Sequence, residues 1–296
     1  MGNHELRRFP EFIVSTDLDG SLLDHYSYSW RAALPAITRL VSRNIPIVFN
    51  TSKTLVEALA LQEEIGISGP VIIENGSAIA FSASDYHTFI ATDYKHPVLD
   101  IDGMKVVVFG CPRSLILAFV KQRREEMGDI LEGYGDWDIA RIISETGLSK
   151  ADAELSAKKL FSEPFLWHAG DIEFKFFELR VQQAGLKVLK GGRFFHLQGN
   201  TNKAVPLLWL REKMRVISAE KTSNAKGGDR ESRMPPKIIA LGDNQNDVAM
   251  LNAADFPVCV KSPSSSYPLI DKNLNAIFTD TFGPEGWNSA ICKLVS

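Results

Sequence analysis

The apolar positions of this chain fall in short runs separated by amphipathic stretches. "FIVST" at 12–16 is a compact apolar run of the kind a buried strand makes, and it ends directly on "DLDGS". From 32 to 43 the spacing of Ala33, Ile37, Leu40 and Val41 predicts a helix with one apolar face, with Pro35 tolerated in its first turn. "IPIVFN" predicts a second strand. "TSKTLVEALALQEEIG" predicts a helix opened by a Thr54–Glu57 capping box and stopped by Gly66, and "PVIIENG" predicts a third strand. Strand–helix–strand–helix–strand in this order predicts a parallel sheet covered by helices on both faces.

After about 85 the cadence changes. "KVVVFG" and "FLWHAG" read as strands, 112–127, 149–160 and 172–183 as helices, and "LKVLKGGRFFHLQG" as a hairpin turning at Gly191-Gly192. From Gly199 the first pattern resumes with the helix "TNKAVPLLWLREKM" and the strand–turn–helix "KIIALGDNQNDVAMLNAAD". The expected architecture is α/β: a Rossmann-like parallel-sheet core over 1–84 and 198–296, split by an inserted α+β unit over 85–197. The stretch 218–236 is polar, without an apolar period, and is expected to be a surface loop.

Composition narrows the partners. A hydrophobic content of 45% with 23% charged residues is that of a globular protein, and a net charge of −3 offers no basic face for nucleic acid or an anionic membrane. Cys111, Cys259 and Cys292 have no metal-ligand spacing and suit a reducing compartment. No apolar run approaches the roughly 18 residues of a membrane span, and "MGNHELRRFP" has no leader-like apolar segment behind it. A cytoplasmic protein acting on a small molecule is the expectation.

Chemistry enters with the polar stretches at predicted strand ends. Two ionised carboxylates, Asp17 and Asp19, at the end of a buried strand are costly unless a cation or proton neutralises them. "FNTSKT" puts the Thr51 and Ser52 hydroxyls just before a helix, whose free N–H groups favour an anion. Lys203 stands near the start of the helix after Gly199, and "GDNQND" adds Asp243 and Asp247. In an open parallel sheet such strand ends line one crevice. Clustered aspartates without thiols suit magnesium, which prefers carboxylates and a substrate phosphate, while lysine and hydroxyls supply donors for phosphate oxygens.

These four stretches, in this order, resemble the motifs of the haloacid dehalogenase-like (HAD) superfamily, with Ser21 where that superfamily usually has threonine. "NTSKT", "ENGSAI", "LSAKKLFSEPFLW" and "GGRFFHLQGNTNKA" extend the likeness over nearly the whole chain, to the mannosyl-3-phosphoglycerate phosphatase family. The resemblance implies an α/β cap inserted between the second and third motifs. It also implies Asp17 as nucleophile, Asp19 as general acid and base, and Thr51, Ser52 and Lys203 as phosphoryl stabilisers. Mg2+ would be held by Asp17, Asp19 (through its carbonyl), Asp243 and Asp247. The substrate expected is a phosphorylated sugar-glycerate, with Arg193 clamping its carboxylate, Lys53, Glu74 and Asn75 facing the cap, and Glu163 and His196 bonding sugar hydroxyls. Phosphatases of sucrose phosphate or glucosyl-3-phosphoglycerate, a phosphomutase, and a non-catalytic sugar-phosphate sensor are the other readings.

Overall fold

The computed structural model describes residues 10–90, 95–191, 194–223 and 234–296. The chain begins with β1 (Phe12–Thr16), α1 (Leu34–Ser42), β2 (Ile47–Asn50), α2 (Leu55–Ile65), β3 (Val71–Ile73), β4 (Ala78–Phe81) and α3 (Ala83–Ile90). It continues through β5 (Val98–Ile101), β6 (Met104–Val108), α4 (Arg113–Met127), β7 (Leu131–Gly133), α5 (Ile139–Thr146), α6 (Lys150–Ser156) and β8 (Ser162–Trp167). Then come α7 (Asp171–Gln183), β9 (Leu186–Lys190), β10 (Phe195–Gly199) and α8 (Ala204–Ser223). The last elements are β11 (Lys237–Gly242), α9 (Val248–Asn252), β12 (Phe256–Lys261), β13 (Ile277–Phe282) and α10 (Glu285–Leu294).

The large sheet has nine strands in the order β13-β12-β11-β1-β2-β3-β4-β6-β5. Those from β13 to β3 pair in parallel, and β4, β6 and β5 add an antiparallel edge. Successive strand residues point to opposite faces. Val14 and Ile239 join one core with Leu40 of α1, Leu55 of α2 and Trp287 of α10. Ile13 and Ile238 join the other, with Leu207 and Leu210 of α8 and Met250 of α9. Strand order runs outward from β1 in both directions, so the ends of β1 and β11 meet where the order reverses, the usual ligand position in such sheets.

Several expectations need correction. The strand expected from "KVVVFG" within the inserted unit is β6, which extends the large sheet on β4 and pairs with a further strand, β5, as a hairpin. Its turn is Asp102-Gly103, both at positive φ (50° and 79°), the left-handed pair that a two-residue hairpin turn requires. Val41 is 54% exposed, because it lies one residue past the apolar stripe that ends at Leu40. The helix expected over 149–160 stops at Ser156. Residues 218–223 belong to α8 instead of a loop, in keeping with the helix formers Ala219, Glu220 and Lys221, and 224–233 lie outside the described residues. The Thr54–Glu57 capping box and the left-handed Gly66 cap form as read.

The small sheet, in the order β7-β8-β10-β9, is antiparallel throughout. Helices α4 and α7 cover one face through Ile116, Val120, Phe177 and Val181, packed on Phe165 and Leu197. The chain passes from the large sheet to α4 through 109–112 and returns through 199–203. Gly199 permits the close crossing, since a Cβ there would stand 2.8 Å from Gly110 Cα and Cys111 N.

Candidate active site

Residues from four distant stretches converge at the ends of β1 and β11. Asp17, Asp243 and Asp247 each offer a carboxylate oxygen within 4.8 Å of the others. Lys203 Nζ, fully buried, donates to Asp17 Oδ1 at 2.5 Å and to Asp247 Oδ1 at 2.6 Å. The second oxygen of Asp247 accepts from the N–H groups of Asp243 and Asn244, both at 3.1 Å. Ser21 donates to Asp243 at 3.4 Å, so the hydroxyl kept at the unusual serine is used.

Local backbone chemistry makes this convergence possible. Gly20 adopts φ +81°, and a Cβ there would fall 2.7 Å from Asp243 Oδ2; the glycine of "DLDGS" therefore lets the acidic side chains approach. Trp287 donates to Thr16 Oγ1 at 2.9 Å, and that hydroxyl donates to the Asp17 carbonyl at 2.6 Å, fixing the end of β1. Asn50 holds the main chain of Lys203 through its carbonyl at 2.9 Å.

Three carboxylates here face one ammonium. Burial first, then the Asp247 charge, push Asp17 well above the usual carboxylate range against the pull of Lys203. The same two causes raise Asp243 to about 7. Burial disfavours charge on Lys203, but Asp17 and Asp247 outweigh it and raise its pKa. The cluster thus has a negative surplus that a divalent cation would cancel, and its donors are all oxygens, which fits magnesium.

A cavity of about 280 Å³ opens over this cluster, near the lower end of small-molecule sites. Asp17, Asp19, Ser52, Asn75 and Asp243 line it from the large sheet, and Leu189, Lys190, Gly191 and His196 from the small one. Asp19 stands apart from the acidic trio. Its Oδ2 pairs with Lys53 at 3.0 Å, while its buried Oδ1 has no partner. Thr51 is buried beneath the cavity, accepting from the N–H of Lys53 at 3.1 Å. His196 lines the cavity, but its Nδ1 is buried without a partner. Burial, with the nearby Lys159 charge, lowers its pKa to about 3, so the ring is neutral at ordinary pH.

Other expected site residues are placed elsewhere. Glu74 is fully buried and accepts from the N–H of Leu160 (2.8 Å) and Phe161 (3.0 Å) and from Ser162 Oγ (2.5 Å), so its carboxylate fastens the small-sheet unit to the core instead of facing the cavity. Glu163 lies opposite Leu197 in the β8–β10 register, hence on the helix-covered face. There it is held by Arg113 at 2.6 Å and by the N–H of Gly135 at 2.5 Å, outside the cavity lining. Lys53 is held by Asp19 and, at 4.0 Å, by Glu57. Arg193 lies outside the described residues. The sequence reading missed His25, Tyr28, Asn244, Asn246 and Leu189, which also line the cavity. Asn244 and Asn246 sit inside "GDNQND", and Leu189 pairs with His196 across the hairpin, so motif interior and strand alternation were the signals available.

This fold and acidic site define a haloacid dehalogenase-like hydrolase. The model of that family matches residues 14–97. Among solved structures, a HAD-superfamily phosphatase from Bacteroides thetaiotaomicron superposes with a TM-score of 0.60 at 17% identity, covering 100% of both chains. A sucrose-phosphatase from Synechocystis superposes with 0.56 at 12%, covering 96% of this chain and 98% of that one. At such identities the likeness is one of fold. Sequence relatives are much nearer. A glucosyl-3-phosphoglycerate/mannosyl-3-phosphoglycerate phosphatase of Methanococcoides burtonii is 34% identical, over 96% of this chain and 97% of its own. One from Persephonella marina is 30% identical over 96% of this chain and 97% of its own. The chain belongs to this phosphatase family of the HAD superfamily, and is a phosphoric monoester hydrolase. Among the described residues, no helix is long and apolar enough to cross a membrane.

Proposed function

We propose that the protein hydrolyses the phosphate of a sugar-linked 3-phosphoglycerate, mannosyl-3-phosphoglycerate or its glucosyl counterpart, through an aspartyl-phosphate on Asp17. The observation that carries this reading is the meeting of Asp17, Asp243, Asp247 and Lys203 under one cavity. Asp17 attacks phosphorus, its oxygen forming the new P–O bond as the ester P–O bond breaks. Asp19 gives its proton to the leaving alcohol; its unpartnered Oδ1 is the oxygen available for that exchange. A water molecule then attacks the aspartyl-phosphate and gives a proton to Asp19, which releases phosphate and restores both carboxyl groups. The Lys203 ammonium offsets charge on Asp17, and Thr51 and Ser52, in the turn between β2 and α2, offer their hydroxyls to the phosphoryl oxygens, Ser52 adding its N–H while that of Thr51 stays bonded to Ile72. Asp17, Asp243 and Asp247, with the main-chain carbonyl of Asp19, are the residues that would hold Mg2+. When bound, the ion neutralises the carboxylates and the phosphoryl oxygens.

The small sheet and its helices act in this reading as the cap that selects the substrate, since Leu189, Lys190 and His196 roof the cavity. Phosphate release from mannosyl- and glucosyl-3-phosphoglycerate, sucrose phosphate and simple hexose phosphates, with magnesium and with chelator, tests the proposal. The glycerate-bearing compounds are expected to lead in kcat/KM by at least about tenfold. Equal turnover of hexose phosphates, or full activity with chelator, would overturn the substrate or the metal assignment respectively.

A further inference from the structure

Residues 157–161 leave α6 and run along the large-sheet unit before β8 begins. The run is fastened by Glu74 through the N–H groups of Leu160 and Phe161, and Phe161, only 2% exposed, packs into the core beside α2. Lys159 sits directly before these anchored residues. Its Nζ donates to the Ser52 carbonyl at 2.9 Å, and its charge is close enough to His196 to disfavour protonation there. Ser52 lines the cavity from one sheet and His196 from the other.

An ammonium has three protons to donate, and this one has a single neutral acceptor; among the described residues Lys159 forms no ion pair. The buried cations nearby are already matched, Lys203 by Asp17 and Asp247, and Lys53 by Asp19 and Glu57. Lys190 also lines the cavity but is exposed, where a lone ion pair is weak. We propose that Lys159 is a substrate-binding residue whose ammonium takes the carboxylate of the glycerate arm, an inference that rests on the substrate class proposed above. It makes the anchored crossing segment a part of the cap that distinguishes an acidic substrate from a neutral sugar phosphate.

The test compares wild type with Lys159→Gln and Lys159→Arg on mannosyl-3-phosphoglycerate, with p-nitrophenyl phosphate as the reference that lacks a carboxylate. Losing one charge-assisted hydrogen bond to a carboxylate should raise KM for the acidic substrate about 10- to 100-fold relative to the reference, with arginine restoring most of it. Inhibition of p-nitrophenyl phosphate hydrolysis by mannosylglycerate and by its neutral amide is measured in parallel. Lys159→Gln should weaken the acid at least tenfold more than the amide. Equal losses for acid and amide, or equal KM shifts for both substrates, would overturn the carboxylate role. If wild type prefers hexose phosphates, the substrate reading fails, yet a Lys159-dependent preference for acid over amide still upholds the carboxylate site.

Discussion

Each of the two sheets buries carboxylates against a cation, and the two arrangements differ in charge balance. In the small sheet, Glu163 has one arginine, Arg113, at 2.6 Å, and is sealed on the helix-covered face with 1% exposure. Burial raises its pKa, Arg113 pulls it back, and the pair is complete in itself. In the large sheet, three aspartates share one lysine beneath an open cavity, and two of them are pushed far up in pKa. A balanced, enclosed pair holds structure together; an unbalanced cluster under a cavity suits a divalent cation. That contrast separates the two kinds of buried acid better than residue type does.

The largest effect should come from the unbalanced cluster. Asp17→Asn is expected to lower phosphate release by about 10⁴-fold or more while substrate binding, read by calorimetry, persists. Removing one of three crowded carboxylates should also leave the melting temperature of the metal-free protein unchanged or raised. A large drop in stability would mean that the cluster is structural after all. The balanced pair predicts the reverse. Arg113→Met leaves Glu163 buried without its partner and should cost about 3 kcal/mol in urea denaturation, with kcat on p-nitrophenyl phosphate little changed.

Glu74→Gln tests the fastening between the sheets. The amide keeps one acceptor oxygen for three donors and should cost about 1–2 kcal/mol, with a larger KM increase for the acidic substrate than for the neutral reference. The last effect is confined to acid pH and concerns His196. Its folded pKa, about 3, lies below the unfolded value of about 6.5, so the unfolded chain binds the extra proton and stability declines as pH falls from about 6.5 towards 3. His196→Asn should flatten that part of the stability–pH profile; an unchanged slope would mean that the ring is protonated in the folded state.

Much of the core was legible because local and global signals agree there. The apolar run 12–16 and the capping box at Thr54 each depend on neighbours within a few residues, and each forms as read. The small-sheet unit was less legible. Three-residue β7 is too short to show a period, and the Asp102-Gly103 hairpin joins the large sheet across a change from parallel to antiparallel pairing. Glu74 and Glu163 read as ligands because a polar residue at a strand end or within a strand looks the same whether it meets solvent, substrate or a buried donor.

By itself, the chain's sequence determined the strand–helix alternation of 12–73, the capping box and glycine stop of α2, and the four acidic, hydroxyl and lysine stretches, since these are local chemistry. Only the tertiary structure decided which charges cancel: that Lys203 serves Asp17 and Asp247, that Arg113 closes off Glu163, and that Lys159 reaches Ser52. The reason is physical. Charge pairing and burial depend on distances between residues more than 40 positions apart, and those distances exist only once the sheets have formed.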